Sequence, residues 1–307
     1  MSDNVRILAT GLKFPEAPVA MADGSVIVGE IGGGVVTRVA PDGTKTTLSR
    51  PGGGPNGLAV GPDGALYLCN NGGSVYEDPN HSFLATAPLP DYTHGSIQRI
   101  DPRTGEAKTL YTHVNGHKLS APNDIVFDTH GGFYFTDLGK RFAHHRDHGG
   151  LYYALPDGSR IDELVYPILS PNGVALSPDG KTVYIADTET SRIVAYDVIA
   201  PGKVKLNAFP AIYGGRLVCG LPGYQKFDSM AVEANGNICV ATLITGHITV
   251  IAPDGRVVRQ AKMPDVYPTN ICFGGPDLRT AYITLSAEGS VGVMQWPEPG
   301  LRLNHNA

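Results

Sequence analysis

Along this chain the apolar and polar positions form a unit that returns six times. One full copy reads Pro171-Asn172-Gly173-Val174-Ala175-Leu176, then Ser177-Pro178-Asp179-Gly180, then Thr182-Val183-Tyr184-Ile185-Ala186-Asp187. A short apolar run, a turn of Asp-Gly type and a second run rich in β-branched and aromatic residues together read as a β-hairpin. Pro55-Asn56-Gly57-Leu58-Ala59-Val60 with Pro62-Asp63-Gly64 and Leu66-Tyr67-Leu68 is a second full copy. Pro122-Asn123-Asp124-Ile125-Val126-Phe127 with Gly131-Gly132 and Phe133-Tyr134-Phe135-Thr136-Asp137 is a third. Weaker copies begin at Pro15-Glu16-Ala17-Pro18, at Phe227-Asp228-Ser229-Met230 and at Thr269-Asn270-Ile271.

Each copy is headed by a residue with a side-chain oxygen: Glu16, Asn56, Asn123, Asn172, Asp228 and Asn270. Their spacings are 40, 67, 49, 56 and 42 residues, the range in which a repeat means a propeller or solenoid. The second strands of the units are expected at residues 26–28, 66–68, 133–135, 183–185, 238–240 and 281–283. Third strands are expected at residues 35–39, 96–100, 150–154, 192–196, 247–251 and 291–295. Outer strands follow, as at residues 46–48 and 107–111. Four strands per unit and about 51 residues per blade predict an all-β, six-bladed β-propeller in one domain spanning residues 1–307. The extended run at residues 5–9 precedes the first unit, and pairing it with the strands of residues 280–296 would close the ring and remove an exposed edge.

Composition agrees with that reading and narrows the function. The 307 residues are 42% hydrophobic and 17% charged, with 39 Gly and 24 Pro, a turn-rich globular chain. The formal net charge is −5 and no basic run exceeds Lys140-Arg141, so a nucleic-acid footprint is missing and no nucleic-acid partner is expected. No basic segment followed by an apolar core opens the chain, and no stretch has the length of a membrane span. A cytoplasmic location with no membrane partner is the expectation. Cys69, Cys219, Cys239 and Cys272 are far apart and form no CxxC pair, so buried, reduced thiols are expected.

In a propeller the first strand of each blade lines the central channel, so the six head residues should meet at the axis. Buried polar groups need partners, and Glu16 and Asp228 together would repel unless a cation lay between them. Carboxylate and amide oxygens with no Cys or His suit a hard divalent ion, calcium first, with magnesium, manganese and zinc as alternatives. The competing reading of the heads is local: Asn-Gly is a good turn dipeptide on its own.

Pro15-Glu16-Ala17-Pro18, Ser120-Ala121-Pro122-Asn123-Asp124 with Phe135-Thr136-Asp137, Ser170-Pro171-Asn172-Gly173 and Phe227-Asp228-Ser229-Met230 resemble, in order, the motifs of the senescence-marker-protein/gluconolactonase (regucalcin-like) family. The resemblance implies a six-bladed propeller with a divalent metal in its tunnel and hydrolysis of a lactone. Carried over by position, it implies that Glu16, Asn172 and Asp228 hold the metal, with Asn123 a fourth ligand or a substrate contact. The related diisopropyl-fluorophosphatase branch uses a similar set of four. Two positions depart from the pattern: Ala121 stands where the animal lactonases have Arg, and Leu138 where Pro is usual.

The expected activity is therefore a metal-dependent lactonase acting on a small-molecule lactone, with Asp228 as general base or water-orienting residue and Asn56 and Asn270 orienting substrate. A phosphotriester hydrolase on the same site and a binding propeller without catalysis are the alternatives; a strictosidine-synthase-like condensing enzyme fits the oxygen set poorly. His117 and Lys118 are candidates to reach the channel mouth, with Lys118 as a contact for an anionic substrate group, and plain surface exposure is the equal alternative. The insertions at residues 73–95 and 138–149 are long enough to be functional; the His144-His145-Arg146-Asp147-His148 cluster of the latter is expected as a solvated loop, with a lid over the channel mouth as the alternative and a second metal site the least favoured. Residues 219–226 are expected as a wall leading into Asp228.

Overall fold

The computed structural model describes residues 4–76 and 87–305, so part of the expected rim insertion at residues 73–95 lies outside the described residues. Six antiparallel sheets follow one another along the chain, five of four strands and the fourth of five. Their innermost strands are Pro15–Ala20, Pro55–Val60, Pro122–Phe127, Pro171–Leu176, Lys226–Val232 and Pro268–Gly274. The second strands, among them Leu66–Asn70, Phe133–Asp137 and Thr182–Asp187, contain the apolar triplets expected from sequence. Arg6–Ala9 pairs with Ser290–Gln295 in the sixth sheet, with Arg6 opposite Val293, so the N-terminal strand closes the ring as expected. The sole helical element among the described residues is one 3-10 turn, Ile212–Gly214.

Cohesion comes from the faces between blades. Six buried apolar clusters separate the blades. One joins Tyr67, Phe127, Phe133 and Tyr152 between blades two and three. Another joins Leu8, Val28, Tyr282 and Val293 between blades six and one. Alternating side chains of each strand serve the faces on its two sides, which is why central strands read as unbroken apolar runs. All four cysteines are free and buried in these layers. Residues 219–226 do not form a single wall: Cys219 lies in the outer strand Arg216–Gly220 of blade four, paired with Ile193.

A shared irregularity positions the head residues. In every blade the register between the first and second strand slips at the head: between Glu16 and Val19, Pro55 and Leu58, Pro122 and Ile125, Pro171 and Val174, Phe227 and Met230, and Pro268 and Asn270. A bulge re-aims a side chain that regular pairing would keep on one face. The two Asn-Gly pairs are thus strand residues and not turn formers. Their glycines have another cause: a Cβ on Gly57 would lie 2.4 Å from the Asn123 carbonyl oxygen, and one on Gly173 would lie 2.8 Å from the Ser229 Cα. Glycine lets neighbouring inner strands close up around the axis.

Candidate functional site: an oxygen-lined collar

All six heads are buried, from 3% exposed at Glu16 to 7% at Asp228. Hydrogen bonds already join several of them around the ring. Asn270 Nδ2 donates to Glu16 Oε2 at 3.2 Å, and the Ala17 amide donates to the same oxygen at 2.9 Å. Ser229 Oγ donates to Asn172 Oδ1 at 3.1 Å, and the Asn172 side chain also hydrogen-bonds Asp228. Asn270 Oδ1 accepts from the Ile271 amide at 2.7 Å, so much of this amide is occupied in holding Glu16 and its own strand. Asn123 Oδ1 is buried without a hydrogen-bond partner.

The backbone around Glu16 is strained to put it there. Phe14 and Ala17 both take left-handed conformations, with φ of 53° and 45°. For a bulky residue such as Phe14 this is costly and persists only when its surroundings demand it.

Sequence reasoning missed a third carboxylate at the axis. Asp124 is 6% exposed; its oxygens accept from the Val174 amide at 3.1 Å and the Ile125 amide at 3.0 Å. The signal was present in Asn123-Asp124, where the other full copies carry Asn-Gly. A charged residue in place of that glycine could have been singled out.

Burial pushes the Glu16 and Asp124 carboxyls up to about 7. Asp228 is raised well above the usual carboxylate range by burial and then by the negative charge of Glu16 and Asp124. Each disfavours ionisation of the others. A divalent cation would relieve this repulsion, and the buried, unpartnered Asn123 Oδ1 has the chemistry of a ligand for it. Among the described residues no three His, Cys, Asp or Glu side chains form a metal-holding group, so a cation here would rely on the amide oxygens of Asn123 and Asn172 beside Glu16 and Asp228. That donor set fits an oxygen-seeking ion such as calcium.

The aspartates that end the second strands hold the collar from behind. Asp137 accepts the amides of Ser120, Ala121 and Gly139 at 2.6, 2.7 and 2.9 Å, fixing the chain that enters Asn123. Asp187 accepts from Ser170 Oγ, just before Asn172. Thr136 Oγ1 donates to the Asn172 carbonyl and ties blade three to blade four.

Below the collar a cavity of about 990 Å³ runs from Ala17, Asp124 and Asn270 to the face carrying the Asp-Gly turns. Its walls mix apolar side chains such as Met21, Leu176 and Met230 with polar ones such as Asp128 and His130, and the C-terminal residues Leu301–Asn304 line its far end. That segment reaches from blade five to blade three: the Leu301 amide donates to the Val232 carbonyl and Asn304 Nδ2 to the Phe127 carbonyl.

Lys118 lies elsewhere. It stands on the short hairpin of His113–Val114 and His117–Lys118, with Nζ 3.3 Å from the Thr93 carbonyl. It lines a separate pocket with Tyr92, Phe142, Arg146 and Tyr166, which none of the six heads lines. His117 pairs with Glu163 at 2.7 Å. His144, His145 and His148 are solvent-exposed, with His145 stacked on Phe142 at 4.3 Å.

Comparison with known proteins places this architecture. The chain is 24% identical to the gluconolactonase of Zymomonas mobilis over 93% of its own length and 80% of the relative's. In shape it resembles a gluconolactonase from Xanthomonas campestris, with TM-score 0.74, 22% identity and coverage of 95% of this chain and 89% of that one. It also resembles a calcium-binding regucalcin from Agrobacterium tumefaciens, with TM-score 0.74, 19% identity and 97% of each chain covered. The model of the SMP-30/gluconolactonase/LRE-like region matches residues 14–287, and the chain belongs to that family.

Proposed function

We propose that this protein is a divalent-cation-dependent lactonase whose reaction takes place at the axial collar. The observation that carries the reading is the set of Glu16, Asn123, Asn172 and Asp228 at the heads of the inner strands, with Glu16 raised by burial, Asp228 by burial and the charges of Glu16 and Asp124, and the Asn123 amide oxygen buried without a hydrogen-bond partner. The similarity to the Zymomonas gluconolactonase supports lactone hydrolysis as the reaction, and the calcium-binding neighbour supports calcium as the ion.

Glu16, Asn172 and Asp228 would hold the cation, with Asn123 as fourth donor. Bound there, the ion would polarise the ester carbonyl and offset the carboxylate charge. The chain's own contribution is placement and proton transfer. Asp228 orients the attacking water and accepts its proton as a carboxylate, the form that a neighbouring cation favours. Asn172 fixes Asp228 through its hydrogen bond. Asn270 acts on Glu16, which it holds at 3.2 Å, and Asn56 remains as a contact for the substrate's ring oxygens. Lys118 would meet only a substrate long enough to reach its separate rim pocket.

Asp228→Asn tests the assignment, because it preserves size and one acceptor oxygen. Turnover of a lactone panel should fall by about 10²–10⁴, the usual contribution of a positioned acid or base, while far-UV circular dichroism stays unchanged. Near wild-type turnover in that variant contradicts the role given to Asp228.

A further inference from the structure

Three aromatic side chains from three blades meet above the collar. Phe14 precedes Glu16 by two residues, and Tyr267 precedes Asn270 by three. Tyr76 follows the strand Ser74–Val75, which leaves blade two. The Phe14 ring centroid lies 5.2 Å from that of Tyr76 and 6.5 Å from that of Tyr267, the second pair edge-on. The tyrosines stand close enough to the carboxylates to feel them: after burial, the charges of Glu16 and Asp228 raise Tyr76, and that of Asp228 raises Tyr267. Phe14 is held here in a left-handed backbone conformation that costs stability.

Neighbouring cations are engaged elsewhere: Lys226 with Glu189 at 2.8 Å, Arg146 with Glu189 at 3.5 Å, and Lys140 with the carbonyls of Asn71 and Gly73. Ala121, two residues before Asn123, is buried and uncharged. Even with a divalent cation bound, the three carboxylates of Glu16, Asp124 and Asp228 leave the collar net negative when ionised.

Resting on the lactonase reading, we infer that the Phe14, Tyr76 and Tyr267 wall selects neutral lactones that carry a flat apolar substituent and disfavours lactones that carry an acid group. A phenyl or similar group stacks on the wall, as aromatic pairs do. A carboxylate there would lose hydration against aromatic faces beside the Glu16 and Asp228 carboxyls, where a phenyl group gains a stack.

The test is kcat/KM of the calcium-supplemented protein for three compounds on one ring: γ-butyrolactone, γ-phenyl-γ-butyrolactone and γ-carboxy-γ-butyrolactone. The phenyl compound is expected to exceed the parent by about tenfold, the upper range of an aromatic pair. The carboxylate is expected to fall below the parent by a similar factor. Phe14→Ala, and Tyr76→Ala as a second variant free of backbone strain, should each erase most of the phenyl preference, read as the ratio of phenyl to parent kcat/KM within the same variant; a ratio unchanged from wild type overturns the inference. Equal rates for phenyl and parent, or faster turnover of the carboxylate, overturn this inference and leave the lactonase reading standing. Failure to hydrolyse these and all sugar lactones overturns both.

Discussion

Asn270 donates its amide hydrogen to Glu16 across 254 positions of sequence, at 3.2 Å. This bond joins the last blade to the first at the level of the collar. Thr269 and Ser286 reinforce the junction by donating to the Pro15 carbonyl at 3.2 and 2.6 Å. The closure of the ring and the assembly of the site are therefore one structural event. Asn270→Ala should lower stability by about 1–2 kcal/mol in urea unfolding, because it removes one buried bond to a carboxyl and leaves a small void. It should also weaken calcium binding. An unchanged calcium affinity would separate the closure from the site.

Cation binding should show as stabilisation. At a calcium concentration 100 times the dissociation constant, linkage adds about 2.7 kcal/mol, which raises Tm by roughly 5 °C or more in a chain of this size. Thermal melts of chelator-stripped protein with and without calcium check this. Glu16→Gln should abolish the shift and raise the stability of the stripped protein, since it removes one of the repelling carboxyls.

The inner-strand glycines make a packing prediction. Gly57→Ala places a methyl 2.4 Å from the Asn123 carbonyl oxygen and should cost about 1–3 kcal/mol by overpacking. Gly64, at φ 73° in the following turn, has open space around it. Gly64→Ala should cost about 1 kcal/mol from backbone conformation alone and leave calcium affinity intact. Urea titrations of the two variants with parallel calcium binding distinguish clash at the collar from turn strain.

Much of this architecture was legible in the sequence because propeller repeats write their turns and strand pairs locally. Asp-Gly and Pro-Asp-Gly turns marked the hairpins, and the six heads stood out as polar residues opening apolar runs. The bulges that aim them were not legible, because a register slip depends on the partner strand and leaves no signature of its own at Asn56 or Asn172. Gly57 looked like half of a turn dipeptide. Its actual reason, the carbonyl of the neighbouring blade, is a tertiary contact. Asp124 was overlooked because it follows a head that already accounted for the motif. Lys118 is near Asn123 in sequence, yet its hairpin projects it into another pocket.

Lys140 gives a pH prediction. Its ammonium is buried on the Asn71 and Gly73 carbonyls at 2.8 and 2.5 Å, and burial lowers it from the ordinary lysine value to about 8. A lysine lowered in the folded state binds its proton less well folded than unfolded. Its contribution to stability is therefore present at high pH and lost as pH falls through about 8. Relative to Lys140→Met, the wild type should gain about 2 kcal/mol between pH 7.5 and 9.5. Chemical denaturation of both proteins across that range reads the difference, and parallel curves would contradict a lowered Lys140.

The central claim, that one cation at the collar makes this propeller a lactonase, is met most directly by titrating calcium into chelator-stripped protein while recording bound metal and lactone hydrolysis in the same samples. Turnover should rise in proportion to occupancy and level off at one calcium per chain, with Asp228→Asn inactive throughout. Full hydrolysis at zero occupancy, or saturation with calcium without any hydrolysis, would contradict the account.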